Sequence, residues 1–221
     1  MQLQIRQLLR ENKSFYTAYL FFLLSGITAL LVMGKESLFL QMNLYHHPWA
    51  DVVAPWLTHL GDGLFALFFL VVFMLFNYRL AVTALICFVS VLFITQFGKL
   101  VLFEDALRPF AYFEAQGMTI RTIEGVKIHS NNSFPSGHSA SVFALLSFLA
   151  LRLTKKQWGL PLLLAAVCIS YTRVYIAQHF YGDVLAGSFI GIITVLSITA
   201  ALDNYYSKHP AVWHQKGLLN P

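Results

Sequence analysis

Six long apolar runs constrain the fold of this chain before any motif is considered. They occupy residues 15–34, 62–77, 80–103, 137–153, 158–176 and 181–202. Crossing a bilayer as a helix takes about 20 mostly apolar residues, and these runs reach or approach that length. Inside lipid every backbone N–H and C=O must be paired within the protein, so such runs fold as helices. The composition agrees, because 57% hydrophobic and 11% charged residues with a mean hydropathy of +0.64 cannot cover a soluble surface. The expectation is an all-α polytopic membrane bundle of about six transmembrane helices, with residues 1–221 in a single domain. Gly61-Asp62-Gly63 interrupts the second run, so residues 51–60 read as a separate surface or re-entrant helix, and Asp62 reads as a turn residue in preference to one that reaches the site from that loop.

The formal charge is +5, yet the basic residues are scattered between apolar runs rather than gathered in a patch, which argues against nucleic acid as a partner. Membrane topology accounts for them. With six spans and a cytoplasmic amino terminus, the inner side holds Arg6, Arg10, Lys13, Arg79, Arg152, Lys155, Lys156, Lys208 and Lys216. The outer side holds Lys35, Lys99, Arg108, Arg121, Lys127 and Arg173, and Lys99, Arg108 and Arg173 are themselves candidate site residues. The remaining bias obeys the positive-inside rule and turns the candidate site away from the cytoplasm. The apolar run behind Arg6, Arg10 and Lys13 is longer than a signal peptide's and lacks a small-residue cleavage site, so it reads as a retained anchor. The absence of a eukaryotic targeting signal favours a bacterial inner membrane with the site facing the periplasm or exterior. Cys87 and Cys168 fall inside apolar runs and read as small core residues.

Against this apolar background, Phe134-Pro135-Ser136-Gly137-His138-Ser139 and then Arg173, His179 and Asp183 stand out. Ionisable groups beside membrane helices are costly and mark function. Hydrolysis of a phosphate ester without a metal needs cations and N–H groups to hold the phosphate, a nucleophile in line, and an acid for the leaving oxygen. Pro135 suits a helix start and Gly137 admits a ligand close to the backbone, so the fourth span would present free N–H groups and a positive dipole end. Ser136 adds a hydroxyl, and Arg173 a planar fork of donors. His179 and Asp183 are four residues apart on one helical face, where the carboxylate takes one imidazole N–H and leaves the other nitrogen free to attack.

These residues resemble the type 2 phosphatidic acid phosphatase (PAP2) superfamily, in its integral-membrane lipid phosphate phosphatase branch. The resemblance covers about residues 99–187 and rests on Phe134-Pro135-Ser136-Gly137-His138 and on Thr172-Arg173 with five residues before His179 and three more before Asp183. It implies six helices, no cofactor or metal, and a membrane lipid phosphate as substrate: an isoprenyl diphosphate, phosphatidylglycerol phosphate, phosphatidate or a lipid A-like glycolipid. It further implies that His179 is the nucleophile that forms a phosphohistidine, Asp183 its orienting carboxylate, and His138 the acid. Ser136, Gly137, Arg173, Arg108 and Lys99 correspond to phosphate ligands.

Two departures stand against the family pattern. Thr172 replaces a serine and keeps the hydroxyl. Lys99 and Arg108 have eight residues between them where the family has six, and nine positions along an unbroken helix turn about 900 degrees and end on opposite faces. Either the helix ends near Phe103, with Glu104-Asp105 in a turn that lets Arg108 fold back, or Lys99 merely snorkels at the interface; Pro109 marks a reversal at Arg108. The external loop of about 104–136 reads as a solvated connector or as an aromatic segment resting on headgroups. His46, His47, His59, His129, His209 and His214 have no partner at diagnostic spacing.

Three other functions use the same residues. A lipid phosphotransferase would share the site, an intramembrane serine protease would use Ser136 but has no need of Arg108 and Arg173, and an anion transporter would not need the pairing of His179 with Asp183.

Overall fold

The computed structural model describes residues 1–220, and the chain is almost wholly helical. Helices α1 (Gln2–Glu11), α2 (Lys13–Met33), α3 (Lys35–Leu44) and α4 (Pro48–Leu57) come first. A 3₁₀ turn at Thr58–Gly61 leads into α5 (Gly63–Phe76), and α6 (Tyr78–Phe97) runs on into a π turn at Gly98–Leu102. A short α7 (Pro109–Glu114) lies within the long loop that follows, and then come α8 (Gly137–Arg152), α9 (Gly159–Tyr175) and α10 (Tyr181–Lys208).

The six apolar runs coincide with α2, α5, α6 together with its π turn, α8, α9 and α10 to within a few residues, apart from a longer carboxyl-terminal end on α10. Four of these segments are long and apolar enough to cross a membrane, and α4 with its 3₁₀ turn meets α5 across a 52° bend, a broken span that would be a fifth or a re-entrant loop. The expected separate helix before Gly61 is therefore present as α4. The sixth run, α8, has only 16 residues, about 24 Å of helix against a hydrocarbon core of about 30 Å. It is shielded from lipid by its neighbours, with Phe143, Ala144, Leu145 and Phe148 all buried.

Helix α8 is the hub, and α10 lies tightly against it. A side chain at Gly187 would strike the Ser136 carbonyl and approach the Ala140 N at 3.2 Å, while one at Gly191 would approach the Ala144 N at 2.9 Å. This small residue at every fourth position lets the two backbones touch, the usual device for close helix packing in lipid. Backbone contact fixes the starts of α8 and α10 relative to each other, and those starts carry the candidate site. At the opposite end, Asp203 of α10 accepts from Arg79 of α6 at 2.8 Å and from Arg152 of α8 at 2.9 Å.

The loop over 104–136 is folded back on the protein. Phe113 is buried and stacks on Phe39 at 5.5 Å, with Phe180 at 6.1 Å, so this aromatic side chain points inward rather than toward headgroups.

Candidate active site

All the residues singled out in the motifs meet at one end of the bundle, where α6, α8, α9, α10 and the loop over 104–136 converge. His179 lies in the short connection from α9 to α10, held by its N–H donating to the Arg173 carbonyl at 3.0 Å. Its Nδ1 is 3.3 Å from Asp183 Oδ2. The same carboxylate oxygen accepts from Ser133 Oγ at 2.5 Å and from the Phe180 N–H at 3.0 Å. Asp183 is thereby fixed at the start of α10, where a carboxylate also meets the positive end of the helix dipole. His179 is 1% exposed. Burial, followed by the charges of Arg173, Arg108 and Lys99, holds its imidazole well below the usual histidine range, so the ring is neutral with Nε2 unencumbered.

Cations surround this ring. Arg108 donates from Nε to the Asn131 carbonyl at 3.0 Å and from Nη1 to Gln178 Oε1 at 2.9 Å. Arg173 donates from Nη1 to Thr58 Oγ1 at 2.8 Å, whereas its Nε is buried with no partner among the described residues. A buried N–H left unpaired costs about 1–3 kcal/mol, and an anion seated beside Arg173 would relieve that cost. Lys99 reaches the same place because the π turn at Gly98–Leu102 changes the register and Phe103 ends the helix, with Glu104-Asp105 in a turn. Its Nζ comes to 3.8 Å from where a side chain on Gly137 would begin. The additional two residues before Arg108 are absorbed by this π turn and break, a common feature near functional sites.

Ser136 caps α8. Its Oγ accepts from the Ser139 N–H at 3.4 Å and from Ser139 Oγ at 3.0 Å, and the residue is fully buried. The hydroxyl thus faces the helix start rather than open space. His138, one residue beyond Gly137, borders a cavity of about 310 Å³ together with Arg173, Thr58, Lys127, His129 and Gln178. Burial and the neighbouring Arg108 lower the His129 pKa.

The profile of the PAP2 superfamily matches residues 80–206, more than half of the chain. The chain belongs to the PAP2 superfamily. Among its relatives, phosphatidylglycerophosphatase B of Bacillus subtilis is 28% identical over 190 residues, 79% of this chain and 88% of that protein. A lipid A 4'-phosphatase of Bacteroides thetaiotaomicron is 41% identical over 58 residues, so the chain spans about a quarter of its length, 26% of each protein. The crystal structure of Aquifex aeolicus LpxE superposes with a TM-score of 0.64 and 25% identity over 73% of this chain and 92% of that one. The match to membrane proteins of this superfamily and the apolar spans make this an integral membrane protein.

Several residues around the site were not legible in the sequence. Thr58, Ser133 and Gln178 contact Arg173, Asp183 and Arg108, respectively, and carry no spacing signal of their own. Asp62, read as a turn residue, pairs with His138 Nε2 at 2.6 Å and His59 Nδ1 at 2.7 Å. His46, read as unpartnered, bonds Asp51 through Nδ1 at 2.8 Å. In each case the partner comes from a loop or helix end whose placement local periodicity does not encode.

Proposed function

We propose that this chain is a metal-independent phosphatase of membrane lipid phosphates or diphosphates, working through a phosphohistidine on His179 at the non-cytoplasmic face. The observation that carries this reading is the neutral His179 held by Asp183 beneath Arg108, Arg173 and Lys99. A neutral imidazole with one nitrogen tied to a carboxylate has its other lone pair available for phosphorus. Arg108, Arg173, Lys99 and the N–H groups at the Gly137 helix start supply the charge that an in-line transition state of phosphoryl transfer requires. His138 supplies the proton for the leaving oxygen and then activates water.

A lipid substrate is supported by the surroundings. A groove of about 340 Å³ between α5, α6 and α8 begins at Gly63 and Ser141, near His138, and is lined by Leu67, Leu70 and Phe88. A hydrocarbon chain attached to the leaving oxygen fits there, while the phosphate stays with the cations. The named relatives act on lipid A and phosphatidylglycerophosphate, and these with isoprenyl diphosphates and phosphatidate form the candidate set.

The test is inorganic phosphate release by detergent-purified protein with EDTA present, from each of these four lipids, beside His179→Ala. Quenching in alkaline SDS with radiolabelled substrate should trap a base-stable, acid-labile phosphoprotein in the wild type and none in the variant. Phosphate release that survives the His179 replacement would remove it as nucleophile.

A further inference from the structure

Asp62 holds a position that the reaction above does not use. It is the residue before α5, yet its carboxylate makes no hydrogen bond to the N–H groups of that helix. An aspartate at such a point normally caps the helix or closes a turn. Here its two oxygens are engaged elsewhere: Oδ1 lies 2.6 Å from His138 Nε2 and Oδ2 lies 2.7 Å from His59 Nδ1. Each histidine takes a different oxygen, so the three side chains form a line rather than a common centre. Both rings border the same cavity, the His138 ring one-third exposed and the His59 ring 64% exposed, so His59 is the more accessible end of the line.

The backbone that aims Asp62 is fixed. Gly61 is buried, and a side chain there would press on His138 Cβ at 3.1 Å and on Val142 Cγ2 at 3.2 Å. The 3₁₀ turn therefore lies directly on α8, and the carboxylate that follows it is directed at the imidazole.

We infer that Asp62 is the positioning carboxylate of His138, with His59 as the outer partner that holds it. This assignment rests on the proposed phosphatase function. His138 faces Arg173 from α9, Lys99 from the π turn, His179 from the connection to α10, and Lys127 and His129 across the cavity. All of these except Asp62 and the neutral histidines are positive, and positive neighbours oppose formation of an imidazolium. Asp183 is committed to His179, so among the described residues Asp62 is the carboxylate that His138 pairs with. It supplies the counter-charge that lets His138 be an acid, and it fixes the proton on Nε2, which leaves Nδ1 to exchange protons with substrate and water.

The protons balance. When His179 Nε2 bonds to phosphorus, the phosphorus–oxygen bond to the lipid breaks, the electron pair stays on that oxygen, and the oxygen takes the Nδ1 proton of His138. In the second step Nδ1 takes a proton from water as the water oxygen bonds to phosphorus. The phosphorus–nitrogen bond breaks and its electron pair returns to His179. His138 ends as it began, and Asp62 remains a carboxylate throughout.

The experiment compares kcat/KM for a lipid phosphate and for p-nitrophenyl phosphate, whose leaving group departs without a proton, in the wild type, Asp62→Asn and His59→Gln. Asp62→Asn should lose about 100-fold on the lipid phosphate and less than about tenfold on p-nitrophenyl phosphate. The alkaline limb of its lipid pH profile should move to lower pH, because an uncompensated His138 gives up its proton sooner. His59→Gln, altered at an exposed ring, should show the same inequality on a smaller scale and keeps the test open if Asp62→Asn does not fold. Equal losses on both substrates with an unmoved alkaline limb, or no loss at all, would overturn the assignment while leaving the phosphatase reading intact. A wild type that releases phosphate from neither substrate overturns both.

Discussion

The Ser136 N–H donates to the Asp183 carbonyl oxygen at 3.0 Å, so the cap of α8 is fastened to the first turn of α10. His138 follows two residues after Ser136, and Asp183 holds His179. One backbone hydrogen bond therefore sets the spacing between the two histidines of the site, and the contacts at Gly187 and Gly191 keep it from opening.

Gly187→Val should break that spacing. Its side chain would meet the Ser136 carbonyl and the Ser139 Cβ, both on α8. Overpacking of this kind costs about 1–3 kcal/mol, and phosphate release should fall more steeply than the thermal midpoint, because the histidines separate before the bundle melts. Unchanged turnover in this variant would show that backbone contact between α8 and α10 does not set the site.

Asp183→Asn keeps the size of the side chain but removes the charge that fixes the His179 tautomer. The amide can still accept from Ser133 and Phe180, so the fold should hold. The expected loss in kcat is about 10²–10⁴-fold with KM close to wild type, read from steady-state phosphate release. A rise in KM alone would instead place Asp183 in substrate binding.

Stability should depend on His179 at acid pH. Its pKa is depressed in the folded protein by burial and by Arg173, Arg108 and Lys99. Below about pH 6.5 the unfolded chain binds a proton there that the folded protein does not. Stability is therefore lost as pH falls through that value, by at most about 1.4 kcal/mol per unit. Thermal midpoints at pH 7.5 and 5.5 should drop further for the wild type than for His179→Leu.

Asp203→Asn acts at the other end of the bundle, 20 residues and about 30 Å along α10 from Asp183. Arg79 and Arg152 then lose their shared carboxylate. Unfolding free energy should fall by about 1–3 kcal/mol in a denaturation series, while kcat and KM stay at wild-type values.

The apolar runs and the two motifs made the helices and most of the site readable from residue order alone. Helix formation is local: each backbone N–H bonds four residues back, and about 20 apolar residues announce themselves as a span. The pairing of His179 with Asp183 was legible from their spacing, but not on one helical face as expected: His179 lies in the connection before α10 and meets Asp183 at the helix start. The break after Phe103 was also legible, because nine positions cannot place Lys99 and Arg108 on one helical face. What residue order left open is decided by contacts between distant segments. Asp62 looked like a turn residue because its partner His138 is 76 positions away, and Arg173 finds Thr58 across 115. That the Ser136 hydroxyl accepts from Ser139 and caps α8 is likewise set by the fold of this helix start. The length of α8 told the same story: its 16 residues are too few to cross lipid alone and suffice only because α6, α9 and α10 enclose it. Local hydrogen bonding and hydropathy fix which segments are helices. Only the close approach of α8 to α10 and to the turn before α5 brings the two histidines, their carboxylates and the cations into one site.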